Sequence, residues 1–309
     1  LAESFRTLRV PASSANLGPG FDALGLALNL YLTCRFRRAD QLLIRVSGRD
    51  ADQIPGGEDN LIWQIARRIA GARAGVEIDI ENEIPIGKGL GSSAAAVIAG
   101  VVIGAEIAGL EWNRGRVLDE AARIEGHPDN VAACALGGVV ASAMVGNATS
   151  DGETNGCAAR AVRLELSARF GVAVIVPDFA VSTSEARRVL PDSYSREDAI
   201  FNLQRSALLV AALATGASEA FPAALEDRLH QPYRFALVPG LEEITRMRAP
   251  GLLGCALSGA GPSILVFYER GHEEVVEQAR RIFSGQGKAA SRPPEILWTE
   301  IDRSGFWTT

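Results

Sequence analysis

Pro85-Ile86-Gly87-Lys88-Gly89-Leu90-Gly91-Ser92-Ser93-Ala94-Ala95 is the stretch on which the reading of this chain turns. Upstream, Val76–Ile80 alternates as V-E-I-D-I and predicts a half-buried strand. Downstream, an apolar run to about Ala108 predicts a helix. Glycines let a backbone come close to a ligand and take positive φ. A helix that begins at Ser92 or Ser93 offers free N–H groups and the positive end of its dipole. Together these features predict an anion site, most naturally for phosphate. A tight strand-to-helix turn with a serine cap is the plainer alternative. The loop is not a Walker A motif, because Gly89 and not Ser or Thr follows Lys88. It is not a dinucleotide fingerprint either, because Ala94 stands where the third glycine belongs.

Lys88 itself stands out. Of 31 basic residues only Lys88 and Lys288 are lysines, which leaves 29 arginines. Lys88 either reaches a phosphate or faces solvent, and the solvent-facing reading is preferred because backbone N–H groups and a cation already supply positive character. The 309 residues carry 37 acidic groups and a formal charge of −6, which argues against a dedicated nucleic-acid binder. At roughly 150 residues per domain the length suits two domains. The polar, turn-rich Gly146–Gly156 is the expected boundary, giving units 1–150 and 151–309. Cys34, Cys134, Cys157 and Cys255 are far apart and form no C-x-x-C pair, so reduced thiols and a cytoplasmic location are expected. Leu1–Pro11 has no apolar signal region, and the uncharged runs Gly89–Ala105 and Asn130–Ser150 read as buried core and not as membrane spans.

Along the rest of the chain, Leu8–Pro11 reads as a strand that opens into a loop, Ala12–Gly20. Strands are expected at Ala23–Arg37, Leu42–Ser47, Gly137–Val145, Ala161–Leu166, Val172–Val176, Leu252–Leu257, Ser263–Tyr268 and Glu295–Ile301. Helices are expected at Asn60–Ala74, Trp112–Ile124, Ser184–Leu190, Arg196–Ala214 and Glu273–Phe283, with Pro128 in the first turn of another. Mixed elements in both halves give an α+β or α/β class. Glu125-Gly-His-Pro-Asp129-Asn130 could complete a Mg²⁺ shell together with Ser93, since hard cations want oxygen ligands, and it equally suits a helix end followed by a new cap. His127 alone reads more readily as a hydrogen-bonded structural residue. Arg187, in Val181–Arg188, and Arg234, in His230–Arg234, are able to grip a carboxylate as a fork, but among 29 arginines any single one reads more readily as a solvated surface residue.

Taken in order, Pro11–Asp22 (PASSANLGPGFD), Pro85–Ala95 and Ser258–Ser263 (SGAGPS) resemble the three motifs of the GHMP kinases. Within that superfamily, EGHPDNVA, VSTSEAR, FNLQRSALLVAAL and HQPYR resemble the homoserine kinase branch, and the likeness covers nearly the whole chain. The resemblance implies an α+β, two-domain fold, with an N-terminal unit like ribosomal protein S5 domain 2 and a ferredoxin-like C-terminal unit. It implies ATP-dependent phosphorylation of the side-chain hydroxyl of L-homoserine in threonine biosynthesis, with Mg²⁺, often by a homodimer. By motif match Pro85, Ile86, Gly87, Lys88, Gly89, Leu90, Gly91, Ser92, Ser93, Ala94 and Ala95 wrap the ATP phosphates, and Asn60 falls at an adenine contact. Ser93 and Glu125 match the Mg²⁺ ligands. Asp22 matches the substrate ammonium, Arg187 and Arg234 its carboxylate, and Asn16 and Asn130 its hydroxyl, with Thr183 and His127 behind them. A mevalonate-like acceptor is the first rival, although it needs no partner for an ammonium. A non-catalytic protein on the same scaffold is the second, although Ser92, Ser93 and Glu125 are intact.

Overall fold

The structure is a computed structural model that describes residues 4–71, 75–146, 158–164, 169–284 and 292–309. Alternating apolar residues near the start fold as a long antiparallel pair, β1 (Arg6–Ala15) and β2 (Leu24–Ala39). The sequence predicts that the first strand stops at Pro11. It instead passes a bulge between Pro11 and Ala12 and runs on through two serines to Ala15. Both serines are fully buried, and each hydroxyl has a partner. The Ser13 Oγ donates to Asn130 Oδ1 at 2.9 Å, and the Ser14 and Ser258 hydroxyls lie 2.8 Å apart. Satisfied in this way, polar residues cost a central strand little.

β3 (Leu43–Gly48) lies parallel to β4 (Gly75–Asn82), and the helix between them, α1 (Leu61–Ala70), makes the crossover. Its apolar face, Ile62, Trp63, Ile65 and Ala66, is buried while Gln64, Arg67 and Arg68 are exposed. Next come α2 (Ser92–Ile107), α3 (Arg114–Glu125), α4 (Asp129–Leu136), β5 (Val139–Val145) and β6 (Ala158–Leu164). α2 is apolar on nearly every face because it is central, touching β1, β2, α1, α3 and α4. β2 pairs with β4 along one half and with β5 at Leu24–Leu26, so a single strand joins both wings of the sheet. Most of the expected boundary at Gly146–Gly156 lies outside the described residues. Beyond it, β6 pairs antiparallel with β5 and therefore belongs to the first sheet.

The second sheet contains β7 (Phe170–Val176), β8 (Leu252–Leu257), β9 (Ile264–Glu269) and β10 (Glu295–Thr299), in the antiparallel order β10-β7-β9-β8. Between β7 and β8 lie α5 (Thr183–Arg188), α6 (Arg196–Thr215), α7 (Phe221–Ala224), α8 (Gln231–Arg234) and α9 (Leu241–Thr245). α10 (Glu274–Ser284) joins β9 to β10. Numbered along the chain, this is a β-α-β-β-α-β unit with strand order 4-1-3-2, the ferredoxin-like arrangement. Alternate residues on β7 face opposite ways. Val172 and Val174 join the core shared with the first unit, while Ala173 and Ile175 pack with α9 and α10. The last strand, β11 (Trp307–Thr308), returns to pair with β1 and makes the first sheet seven-stranded.

Cys34, Cys134 and Cys255 are buried free thiols, and Cys157 lies outside the described residues. Among the described residues no helix is long and apolar enough to cross a membrane.

Candidate active site

The glycine loop is held from two sides before any ligand arrives. Gly91 caps α2 with φ at +69°, and a Cβ there would lie 2.0 Å from the Ser13 Oγ. Gly89 has φ at +74°, and a Cβ there would lie 2.2 Å from the Ser258 carbonyl oxygen. Only glycine combines that φ with such close neighbours. β1 contributes the Ser13 N–H, which donates to the Leu90 carbonyl at 3.1 Å. The Ser258–Ser263 turn contributes the Ser258 hydroxyl, 2.7 Å from the Gly89 carbonyl. Asn16 joins the first motif to the third, its Nδ2 donating to the Gly259 carbonyl at 2.9 Å. The three motifs quoted from the sequence are thus one knot in space.

A cavity of about 610 Å³ opens over this knot, between the two units. Pro85, Ile86, Gly87, Gly89, Leu90, Gly91, Ser92, Ser93 and Ala94 line it, together with Asn60. Ala95 does not, being sealed in the core. Lys88 neither faces solvent freely nor reaches into the cavity. Its Nζ donates to the Pro177 and Phe179 carbonyls at 3.0 and 2.8 Å, and its pKa is lowered by burial. Main-chain carbonyls within reach outcompete water for a half-buried ammonium, which corrects the solvent-facing expectation. Asn60 is the N-cap of α1. Its Oδ1 accepts the Ile62 and Trp63 N–H groups and its Nδ2 donates to the Pro55 carbonyl, so its amide serves the helix while its side forms cavity wall.

At the loop end of the cavity the Ser93 Oγ donates to Glu125 Oε1 at 2.9 Å. Two oxygen donors from different helices at the start of α2 suit a hard cation. Beyond them, the His127 Nδ1 lies 2.7 Å from Asp129 Oδ1, which also accepts the Asn130 N–H at 2.8 Å. The Asp129 bond raises the His127 pKa against an opposing effect of burial. Asp129 is 1% exposed yet lines the cavity. The sequence alone did not single it out from its neighbour. Asn130 accepts from Ser13 and faces the cavity, whereas Asn16 has φ at +70° and uses its Oδ1 to accept the Asp22 N–H.

The far wall is cationic. Arg187 forms a fork on Asp22, with Nη2 to Oδ1 at 2.8 Å and Nη1 to Oδ2 at 3.1 Å. Thr183, the first residue of α5, lines the same wall. Arg234 is only 2% exposed. Its Nε donates to the Ala186 carbonyl, and its Nη1 donates to the Gly259 carbonyl and to His230 Nδ1. Neutral carbonyls and a histidine hold it where a carboxylate would be expected, and burial, reinforced by Arg187, pulls its pKa down to about 10. His230 is fully buried, and burial lowers its pKa too; its Nε2 meets the Gly18 carbonyl at 2.7 Å. Phe21 stacks on His230 and has the guanidinium carbons of Arg187 and Arg234 each 5.6 Å from its ring centroid. The sequence reading passed over Phe21. Its one signal there is that it is the sole large apolar side chain between Gly18 and Asp22.

Comparison with known proteins gives the family and the fold. The GHMP kinases N terminal domain matches residues 60–138, and the GHMP kinases C terminal domain matches residues 209–287. A homoserine kinase of Solibacter usitatus is 59% identical over 312 residues, covering 100% of this chain and 98% of its own. The chain belongs to the homoserine kinases, within the GHMP kinase family. A homoserine kinase of Deinococcus radiodurans is 45% identical over 85% of this chain and 84% of its own. The crystal structure of homoserine kinase from Cytophaga hutchinsonii superposes with a TM-score of 0.78 at 26% identity, covering 99% of this chain and 98% of that one. The α+β, two-domain fold of the homoserine kinases is therefore the fold of this chain.

Proposed function

We propose that the chain transfers the γ-phosphoryl group of ATP to the side-chain hydroxyl of L-homoserine, giving O-phospho-L-homoserine. The observation that carries the acceptor is Arg234, a buried cation without a carboxylate partner that faces the same cavity as the glycine loop. A buried charge calls for a counter-charge, and a substrate carboxylate supplies it. Arg187 and Asp22 already neutralise each other across the wall. A zwitterionic amino acid replaces each half of that pair, its carboxylate on Arg187 and its ammonium on Asp22. A mevalonate-like acceptor would leave Asp22 without a cation.

The phosphates lie on the free N–H groups at the start of α2, where the dipole favours anions. Ser93 and Glu125 would hold Mg²⁺, which supplies charge neutralisation on the phosphoryl oxygens when bound. Phosphoryl transfer has a loose transition state, so positioning and electrostatics carry it. Asn130 orients the acceptor hydroxyl, and its amide cannot take a proton. Asp129 Oδ1 is occupied by His127 and the Asn130 N–H. In this reading the hydroxyl attacks directly and its proton passes to the γ-phosphate or to solvent, with Asp129 engaged as the hydrogen-bond partner of His127. Asn16 and Thr183 shape the acceptor pocket. In the same reading the chain has two units, expected at 1–150 and 151–309, of which the first also takes in β6; the enzyme works in the cytoplasm and pairs with a second copy. Exposed apolar side chains on α6, Ile200, Leu203 and Leu208, support the pairing.

The test is ADP release with L-homoserine, L-serine and mevalonate offered in parallel. The expected order places L-homoserine far ahead. ADP release with mevalonate alone would overturn the acceptor assignment, and none with any acceptor would return the chain to a non-catalytic scaffold.

A further inference from the structure

The glycine loop and the acceptor wall sit in different units, and one side chain ties them directly. Lys88 projects from the loop and donates to two carbonyls, Pro177 and Phe179, in the link between β7 and α5. Four residues after Phe179, that link becomes α5, which carries Thr183 and Arg187 into the cavity. Lys88 is the one lysine among the described residues, so among these no second lysine ammonium stands beside it. From the other end, Arg234 holds α5 through the Ala186 carbonyl at 3.0 Å. Two cations thus fix the two ends of the segment that presents Arg187.

We infer that Lys88 is a positioning residue for the acceptor: it sets where α5 leaves the β7 link and thereby aims Arg187 at the substrate carboxylate. This inference rests on the reading of α5 as the acceptor-binding helix. The loop does not depend on the Lys88 side chain for its own shape. Its remaining ties include Ser13 N–H to Leu90, Ser258 Oγ to Gly89, and Ser263 N–H to the Lys88 main-chain carbonyl at 3.3 Å. Removing the ammonium leaves all three. The link between β7 and α5 loses two charge-assisted bonds at once. The capping box of Ser182 and Glu185 keeps α5 helical, so the helix swings as a unit about its Arg234 anchor.

The test compares Lys88→Met and Lys88→Arg with the wild-type enzyme. Lys88→Met is expected to raise KM for homoserine on the order of ten-fold, the scale of a lost hydrogen bond to a charged group. KM for ATP and kcat stay within about two-fold, because the phosphate cradle is intact. Lys88→Arg keeps a cationic donor and is expected to recover most of the loss. A purely structural role would lower the melting temperature without splitting the two KM values. The inference is overturned if Lys88→Met leaves KM for homoserine unchanged, if it raises KM for ATP alone, or if Lys88→Arg is as impaired as Lys88→Met. Should Lys88→Met fail to fold, Lys88→Arg against Lys88→Gln gives the same comparison. A wild-type enzyme inactive on homoserine would instead sink the proposed function, so the two failures are distinguishable.

Discussion

Replacing Arg187 with alanine tests the acceptor wall most directly. In the free protein the Arg187 fork on Asp22 is an ion pair with side chains 40% and 34% exposed. Solvent screens such a pair, so its loss should cost only about 0–1 kcal/mol of stability. In the proposed substrate complex the fork instead meets a carboxylate inside the cavity. A hydrogen bond to a charged group is worth about 1.5–3 kcal/mol, which corresponds to roughly 10- to 150-fold in kcat/KM. Initial rates at varied homoserine with saturating ATP, and the reverse, give both KM values. The expected result for Arg187→Ala is a KM for homoserine raised by that factor, a KM for ATP nearly unchanged, and thermal unfolding close to wild type. An equal rise in both KM values would show that Arg187 serves the nucleotide, and the assignment of this wall would fall.

Gly91→Ala should be much more damaging than its size suggests. The added Cβ would meet the Ser13 Oγ at 2.0 Å, and φ at +69° is strained for alanine; kcat is expected to collapse, with a melting temperature several degrees lower, read by activity and calorimetry. His127 offers a pH test. Its folded-state pKa is raised by Asp129 above the ordinary 6.5. The stabilisation from its protonated form is therefore complete below the unfolded value and is lost as pH rises through the folded one. The deficit in melting temperature of His127→Gln should be largest in mildly acidic buffer and shrink in alkaline buffer; a deficit that grows with pH would contradict the His127–Asp129 pairing.

Much of the secondary structure was legible because it rests on short-range pattern. The stripe of Ile62, Ile65 and neighbours marked α1, and the serines after three glycines marked the start of α2. β1 was cut short for the opposite reason. Ser13 and Ser14 look like loop residues until Asn130 and Ser258 are brought against them from 117 and 244 residues away. Asn60 shows how a correct position can carry an incomplete role, since a cap and a cavity wall share one residue. Lys88 reads wrongly as solvent-facing, because its acceptors are carbonyls, which no sequence letter advertises.

The knot of three motifs also orders events during synthesis. Ser13, Ser14 and the glycine loop leave the ribosome long before Ser258 exists, and the Ser258 hydroxyl is what closes on Gly89. A nascent first unit can form α2 and the sheet from β1 to β6, since domains fold as they emerge. It cannot finish the support of the glycine loop, which is complete only when β8 and β9 dock their connecting turn under it. If that loop holds the nucleotide, as proposed, competence to bind it appears late in synthesis.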